Sequence, residues 1–184
     1  AVLSRRHGLQ LGAVAAAGSM PLSLAYGIGA IGCFLAGDAP YGRPADLPWA
    51  MAFPNGEVAV NVPVHPAQLY EAAGAFLIAV ILWTLQRRVH AMSVFGIYLG
   101  LSGLMLLLVE FTRATDPVLM GLTETQLFSI ASTISGMVII ILAEGAHDGA
   151  VLLDALREPL VRHVEECGQV AVDDSVDDAL PVGR

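Results

Sequence analysis

Lysine is absent from this sequence of 184 residues, and all nine basic residues are arginines. Charged residues of both signs make up 14% of the chain, whereas a soluble domain usually carries about a quarter. The net charge is −8, so binding of nucleic acid, which depends on a basic surface, has no electrostatic support. The shortage of charge also argues against a soluble globular fold.

The chain contains long apolar segments. Hydrophobic residues make up 55% of the chain, and the mean hydropathy is +0.67. They are clustered into runs instead of recurring at the spacing of an amphipathic core, which is typical of membrane spans. We predict an all-α polytopic integral membrane helical bundle with a long extracytoplasmic loop. The membrane domain is predicted at 1–143, with about four spans at 9–36, 69–85, 92–111 and 127–143.

The first predicted span is longer than a membrane helix needs and is interrupted by Pro21 and several glycines. Two placements of its N-terminal part therefore stay open, inside the span or along the membrane interface. A cleavable signal peptide is not predicted, because Arg5 and Arg6 precede a glycine-rich segment. Since the chain begins with Ala1 and not with methionine, we expect a fragment or a processed product.

Arginine placement predicts the orientation, because basic residues favour the cytoplasmic side of a membrane. Arg5 and Arg6 precede the first span, and Arg87 and Arg88 follow the second. These ends are therefore predicted to be cytoplasmic. The loop at 37–68 is predicted to be extracytoplasmic, together with the far end of the third span.

The C-terminal part of the chain has a different composition from the rest. Residues 144–184 contain ten acidic residues and three arginines. We predict an acidic cytoplasmic tail that is partly disordered, with a short amphipathic helix around 151–164 and a mobile segment from Glu165.

Cysteine and histidine give little support for a metal site or a disulfide. Cys33 is predicted near the outer membrane face and Cys167 in the tail, so no internal disulfide is expected. Histidine and cysteine do not occur at metal-ligand spacing, so no metal is predicted. His65 is the one histidine predicted on the extracytoplasmic face.

The third predicted span ends close to a carboxylate, that of Glu110. Glu110 follows an apolar run, and a charge at the bilayer centre costs roughly 2.5–3.5 kcal/mol on insertion scales, less near the interface. Arg113 lies one helical turn further on and can pair with it. Two interpretations stay open, a functional pair facing a wet cavity or a snorkelling ion pair that merely ends the helix.

Polar side chains also crowd the start of the second span, where His65, Gln68, Tyr70 and Glu71 lie within seven residues. Glu71 alone is explained by the favourable interaction of a carboxylate with a helix N-terminus. The crowding at one bilayer boundary is not explained in this way. It predicts either binding of a lipid headgroup or fixing of the outer loop.

Taken together, these segments resemble the prolipoprotein diacylglyceryl transferase family. The segment Gly29–Asp38, continued by Tyr41–Trp49, is similar to the signature of that family. His65–Glu71 resembles its His-Pro-x-Gln-Leu-Tyr-Glu motif, and Val109–Asp116 resembles its Val-Glu-Phe-x-Arg-x-x-Asp segment. Gly121–Gln126 resembles the entry to its last helix. The motifs occur in the family order over roughly residues 3–142.

The resemblance implies a multi-pass enzyme of the bacterial inner membrane. Such an enzyme transfers the diacylglyceryl group of phosphatidylglycerol to the lipobox cysteine thiol of a prolipoprotein. Its partners would be phosphatidylglycerol, the prolipoprotein signal peptide and membrane lipid, and neither a metal nor an organic cofactor is expected. The implied catalytic residues are Glu110, Arg113, Asp38 and His65. The implied substrate-binding or lipid-binding residues are Gly29, Gly32, Cys33, Gly42, Gln68, Tyr70, Glu71 and Gln126.

Three departures from the family pattern keep the function open. Ala30 and Leu106 stand at two positions where the family has arginine, and the family's His-Gly-Gly motif would precede residue 1. The loss of two guanidinium groups removes positive charge that would hold a lipid phosphate. One hypothesis is an active transferase, and the other is a catalytically inactive membrane protein on the same scaffold that binds lipid or a partner helix. A small transporter is a weaker third hypothesis, because no internal repeat supports it.

Overall fold

Helices dominate the computed structural model, which describes residues 11–38, 41–118 and 121–177. In chain order the elements are α1 (Leu11–Ala36), β1 (Met51–Phe53), β2 (Val60–Val64), α2 (Ala67–Leu85), α3 (Ala91–Glu110) and α4 (Glu124–Asp177). Within the described residues, four helices are long and apolar enough to cross a membrane, and in α4 the apolar stretch is Glu124–Val151. The predicted polytopic helical membrane fold is therefore confirmed.

The first span is one uninterrupted helix. α1 has 26 residues and is therefore about 39 Å long, more than the hydrocarbon core of about 30 Å requires. It continues through Pro21, which membrane helices tolerate better than soluble ones. A single continuous helix is observed from Leu11 onward, and the placement of its N-terminal part, inside the span or along the membrane interface, stays a prediction. Arg5 and Arg6, on which part of the orientation argument rests, lie outside the described residues.

The last helix is longer than the sequence predicts. α4 runs to Asp177, past the predicted span end at about residue 143 and through the segment after Glu165 that the sequence predicts to be mobile. Alanine, leucine and glutamate, all strong helix formers, are frequent from 144 to 166, which favours helix there, whereas valine and aspartate are the commonest residues from 167 to 177 and helix propensity does not explain that part. The chain divides into two compact units, Ala1–Ala143 and Glu144–Arg184. The cytoplasmic location of the second unit stays a prediction.

The loop between α1 and α2 contains a small sheet that the sequence analysis did not predict. β1 and β2 are antiparallel, with Met51 opposite Val64 and Phe53 opposite Val60, and the register is irregular between these pairs. Two sequence signals predict such a hairpin. Valines alternate with other residues from Val58 to Val64, as in a strand, and Asn55-Gly56 is a common turn. The prolines of the loop obscured both signals.

All four helices contribute one end to the same side of the bundle. α1 and α3 finish there at Ala36 and Glu110, whereas α2 and α4 begin there at Ala67 and Glu124. We call this side the motif end, because every motif of the family resemblance lies on it. A small apolar core, built on the buried residues Ile78, Leu82 and Val94, lies closer to the opposite end.

Glycines bring α3 and α4 into close contact, as the Gly-x-x-x-Gly spacing of Gly96 and Gly100 predicts. A Cβ atom added to Gly136 would lie 2.5 Å from the Gly96 carbonyl oxygen and 2.8 Å from the Gly100 Cα atom. Ser132 supports the contact by donating a hydrogen bond of 3.0 Å to the Leu99 carbonyl. The backbones of the two helices therefore leave no room for a side chain at position 136.

Replacement of Gly136 by alanine is expected to lower the free energy of unfolding by about 1–3 kcal/mol, because two helix backbones must separate to admit the methyl group. Gly18→Ala is the matched control, since a Cβ atom there meets nothing within 4 Å. That change should be neutral or should stabilise α1 by up to about 1 kcal/mol. Thermal unfolding of both variants in detergent measures the difference. Equal midpoints for the two variants would contradict the packing described here.

Candidate functional site

At the motif end, α1 finishes in a tight turn at Gly37 and Asp38. The Gly37 N–H donates to the Phe34 carbonyl at 3.2 Å and the Asp38 N–H to the Cys33 carbonyl at 3.0 Å. This pair of bonds is a Schellman motif, which requires a residue with positive φ at the first position after the helix. Gly37 meets that requirement with a φ of 66°. The turn therefore ends α1 and fixes the position of Asp38.

Tyr41 attaches the outer loop to this helix end. Its ring stacks on Phe53 with a centroid distance of 4.5 Å, and its hydroxyl donates a hydrogen bond to the Gly37 carbonyl. Burial raises the pKa of the Tyr41 phenol, and the nearby Asp38 and Glu57 carboxylates raise it further. The hydroxyl therefore stays protonated and remains a donor. The hairpin is held against the segment that carries Asp38.

The residues after Tyr41 form an extended segment between two other parts of the motif end. On one side the Gly42 N–H donates to the His65 carbonyl at 3.0 Å. On the other side the Arg43 N–H donates to the Thr112 carbonyl at 2.7 Å, and Gly42 pairs with Arg113 as an isolated bridge. A Cβ atom at Gly42 would lie 2.6 Å from the His65 carbonyl and 2.9 Å from that of Thr112. Glycine is therefore needed where three backbones meet.

Arg113 lies between two carboxylates. Its guanidinium forms an ion pair with Glu71, and its Nη1 atom is 3.5 Å from Oε2 of Glu110. The side chains of all three residues are largely buried, with 14%, 8% and 1% exposed for Arg113, Glu71 and Glu110. The predicted pairing with Glu110 is thus observed, and Glu71 is a second partner. Because the Glu110 carboxylate is enclosed by protein, a snorkelling ion pair does not describe it.

Glu110 is also linked to the start of α4. The Thr123 hydroxyl donates to Oε1 of Glu110 at 2.9 Å. The Thr123 N–H donates to the Gln126 side-chain oxygen at 3.0 Å, and the Gln126 N–H donates back to the Thr123 hydroxyl at 3.2 Å. This reciprocal pair is a capping box. The hydrogen bond from Thr123 to Glu110 ties this capped start of α4 to the end of α3.

A cavity of about 280 Å³ opens at the motif end. Its lining consists of Tyr26, Gly29, Ala30, Cys33, Asp38, Gln68, Glu71 and Arg113. Six of these residues belong to the sets that the resemblance implies, from three separate motifs. The structure therefore brings the signature of α1, the start of α2 and the end of α3 to one cavity.

The remaining members of those sets lie outside the lining of this cavity. Glu110 and Gln126 are buried behind Arg113 in the network just described. His65 and Tyr70 form a second group, in which Nδ1 of His65 is 3.1 Å from the Tyr70 hydroxyl. Gly42 serves the backbone packing of the loop. At Gly32, an added Cβ atom would meet nothing within 4 Å.

Among the described lining residues, Tyr26 is the one that sequence reasoning missed. Its hydroxyl donates to Oε2 of Glu71 at 2.6 Å, so both oxygens of that carboxylate have partners. A signal was present, because Tyr26, Ala30 and Cys33 recur at intervals of three or four residues and so share one face of a helix. The chemical pattern, a tyrosine in an apolar span, is too common to stand out alone.

Replacement of Tyr26 by phenylalanine removes the hydroxyl and leaves the ring. We expect the free energy of unfolding to fall by about 1.5–3 kcal/mol, the usual contribution of a hydrogen bond to a charged group. Tyr98→Phe, also on a helix of the bundle, is the comparison. Thermal unfolding of the two variants tests this contribution, and a Tyr26→Phe variant with the stability of the unaltered chain would exclude it.

Both positions where the resemblance places arginine face a cavity. Ala30 lines the motif-end cavity, and Leu106 lines a smaller neighbouring cavity of about 100 Å³. Tyr26 lines both of them. The two positions therefore line neighbouring cavities that share Tyr26, and this chain has a methyl group at one position and an isobutyl group at the other.

The charges at the motif end do not balance. Among the described lining residues Asp38 and Glu71 are acidic and Arg113 is the one cation, and next to them lie the buried Glu110 and the exposed Arg43, whose Nε–H donates to the Arg113 carbonyl at 2.9 Å. Within the part of the chain that the structure describes, no group of three or more histidine, cysteine, aspartate and glutamate side chains could hold a metal ion. The cavity can thus offer hydrogen-bond acceptors and one guanidinium.

Comparison with known proteins agrees with the motifs and the fold. Residues 1–142 match the sequence profile of the family prolipoprotein diacylglyceryl transferase. The chain belongs to this family. The resemblance stated from the four motifs is confirmed, and all the residues of the motif end lie in the matched region.

Individual relatives of this family are similar along most of the chain. The relative from Nitrobacter winogradskyi is 39% identical over 155 residues, which cover 74% of this chain and 49% of the relative. The relative from Cupriavidus metallidurans is 35% identical over 156 residues, which cover 82% and 56%. Both carry the name phosphatidylglycerol–prolipoprotein diacylglyceryl transferase. The chain spans about half the length of the curated relatives it matches, and no solved structure matches it.

Proposed function

We propose that the chain binds phosphatidylglycerol in the motif-end cavity and transfers its diacylglyceryl group to the lipobox cysteine thiol of a prolipoprotein at the bacterial inner membrane. The observation that carries this proposal is the convergence of three family motifs on one cavity. The names of the relatives supply the substrates. The proposal extends to this chain an activity that is named for proteins about twice its length.

The proposed reaction is a substitution at carbon. The thiol loses its proton, and the thiolate attacks the terminal glyceryl carbon of the lipid. A carbon–sulfur bond forms as the carbon–oxygen bond to the phosphate breaks, and glycerol phosphate leaves with the electron pair. No oxidant, reductant or metal is required by this balance.

Two cavity residues are suited to the proton that the thiol releases and to the negative charge that develops on the leaving phosphate. Asp38 lines the cavity and is proposed to accept the proton of the thiol. Arg113 lines it as well and is proposed to support the negative charge of the leaving phosphate. Glu110 and His65, which lie outside the lining, are proposed to have supporting roles, Glu110 by holding Arg113 and His65 by holding Tyr70.

A transfer assay tests the proposal. The full chain is reconstituted in liposomes that contain phosphatidylglycerol labelled in its acyl chains, and a peptide with a lipobox cysteine is added. Label is expected on the cysteine peptide and not on a control peptide with serine in its place. Phosphatidylglycerol that binds but is not turned over would contradict the transferase proposal.

A second function is favoured by Ala30 and Leu106, which leave both arginine positions at the cavities without charge. In this alternative the chain binds a lipid or a partner helix and does not catalyse transfer. Replacement of Ala30 and Leu106 together by arginine distinguishes the two functions. Activity that appears only in the double variant favours the alternative, whereas turnover by the unaltered chain excludes it.

A further inference from the structure

Gln68, a residue at the motif-end cavity, has an unused hydrogen-bond acceptor. The side chain lines the cavity and is 4% exposed. Its Nε2 atom donates to the Asp38 backbone carbonyl at 2.7 Å. A carbonyl oxygen only accepts, so this bond fixes the orientation of the amide group. The Oε1 atom of Gln68 is then buried without a hydrogen-bond partner among the described residues.

Arg113 has one unused donor in the same cavity. Its terminal nitrogens face Glu71 and Glu110, whereas its Nε–H is buried without a partner in the described part of the chain. Buried polar groups without partners are rare in folded proteins, because each has lost its bonds to water. Two residues of the cavity lining, one with a free acceptor and one with a free donor, therefore suit a ligand with complementary groups.

The charge of the cavity narrows the chemistry of that ligand. The three carboxylates of Asp38, Glu71 and Glu110 outweigh the guanidinium of Arg113 and that of the exposed Arg43, whose Nε–H donates to the Arg113 carbonyl at 2.9 Å. Attraction of an anion by net charge is therefore weak at this site. A simple ammonium group could donate to Gln68 but could not accept from Arg113. Hydroxyl groups do both, so a polyol fits best.

We propose that Gln68 recognises the uncharged hydroxyl groups of a lipid headgroup. Its Oε1 accepts a hydrogen bond from one hydroxyl, and the Arg113 Nε–H donates to another headgroup oxygen. The headgroup class is a glycerol-like or sugar-like polyol, and the anionic charge of the lipid contributes little to recognition. This inference rests on the proposed function in one respect, because it takes the cavity to be the lipid headgroup site.

Native mass spectrometry of the full chain with four lipids measures whether binding depends on headgroup hydroxyls or on headgroup charge. Phosphatidylglycerol has both, phosphatidic acid has charge without a polyol, galactosyl diacylglycerol has a polyol without charge, and phosphatidylcholine has neither. Phosphatidylglycerol and the galactolipid are expected to bind about tenfold more tightly than the other two, the order of magnitude of one hydrogen bond to a buried group. Their affinities should depend little on salt concentration.

Variants at Gln68 identify the atom responsible. Gln68→Met keeps the size but has no polar amide, and it should bring the four affinities within about twofold of each other. Gln68→Asn keeps both the amide acceptor and the amide donor on a shorter side chain, and it should retain part of the preference for the two polyol lipids. Gln86→Met is the matched control, because Gln86 is exposed at the far end of α2, and it should bind as the unaltered chain does.

Each outcome has a separate meaning. Equal binding of phosphatidylglycerol and phosphatidic acid, unchanged by Gln68→Met, overturns the inference and leaves the proposed function intact. Binding that follows charge alone and weakens steeply with salt also overturns the inference and leaves the proposed function intact. Displacement of the lipids by free glycerol at a matched concentration shows a site for soluble polyols and overturns the lipid assignment. Absence of lipid binding overturns both this inference and the proposed function.

Discussion

Replacement of Arg113 by glutamine is expected to destabilise the chain by about 3–5 kcal/mol, the usual cost of breaking a buried ion pair by removing one partner. Glutamine leaves the Glu71 and Glu110 carboxylates buried without their shared cation. Binding of phosphatidylglycerol is expected to weaken as well, because the substitution removes the unpartnered Nε–H that Arg113 offers to a headgroup oxygen. Thermal unfolding and lipid binding measure the two effects on the same sample.

Two further variants separate charge from geometry. Arg113→Lys keeps the charge but not the planar fork of donors, so its stability should lie between those of the unaltered chain and Arg113→Gln. Adding Glu71→Gln to Arg113→Gln removes one orphaned carboxylate and should restore part of the loss. Arg87→Gln, at an exposed position, should change stability by less than about 0.5 kcal/mol. If Arg113→Gln behaved as Arg87→Gln does, the buried ion-pair network described here would be wrong.

Replacement of Gly42 by alanine is the second large effect that we expect. The added methyl group would lie 2.6 Å from the His65 carbonyl and 2.9 Å from the Thr112 carbonyl, so backbone on both sides must move. Overpacking usually costs about 1–3 kcal/mol, and contact with backbone on two sides favours the upper end of that range. Because residue 42 pairs with Arg113, binding of phosphatidylglycerol should weaken in parallel.

Gly32→Ala is the matched control for this variant. Gly32 belongs to the same signature, but a Cβ atom there meets nothing within 4 Å. The substitution should leave stability unchanged or raise it by up to about 1 kcal/mol, since alanine favours helix. Thermal unfolding compares the two alanine variants directly. A tolerated alanine at position 42 would show that the extended segment does not lie between His65 and Thr112.

The helices were predictable because each span is a local property of the sequence. Apolar runs of sufficient length identified all four, although the first appeared interrupted at Pro21 and the last appeared to end near residue 143. The capping box of Thr123 and Gln126 also has a local signature that the sequence analysis did not use. The hairpin at 51–64 was not predicted, and its sequence is unusual for one because Pro63 lies within β2, where proline is rare.

The site was predictable only in part, because its defining contacts join residues that are distant in sequence. Spacing predicts the pairing of Arg113 with Glu110, three residues apart, and the structure contains it. Spacing does not predict the pairing of Arg113 with Glu71, which depends on how α2 and α3 pack. The hydrogen bond from Tyr26 to Glu71 has the same origin. The family motifs identified the polar residues. Only the fold shows which of them line the cavity and which contact the lining residues from behind.

The central claim is that the polar motifs form one cavity, open to the outer face of the membrane, in which a lipid headgroup binds. Cys33 provides a native probe, because it is exposed and lines that cavity, and Cys167→Ser removes the second cysteine of the chain. A membrane-impermeant maleimide is applied to spheroplasts and to liposomes with and without phosphatidylglycerol. We predict labelling of Cys33 from the outer face and slower labelling when phosphatidylglycerol is present. Labelling only from the cytoplasmic side, or at a rate that phosphatidylglycerol does not change, would contradict the account.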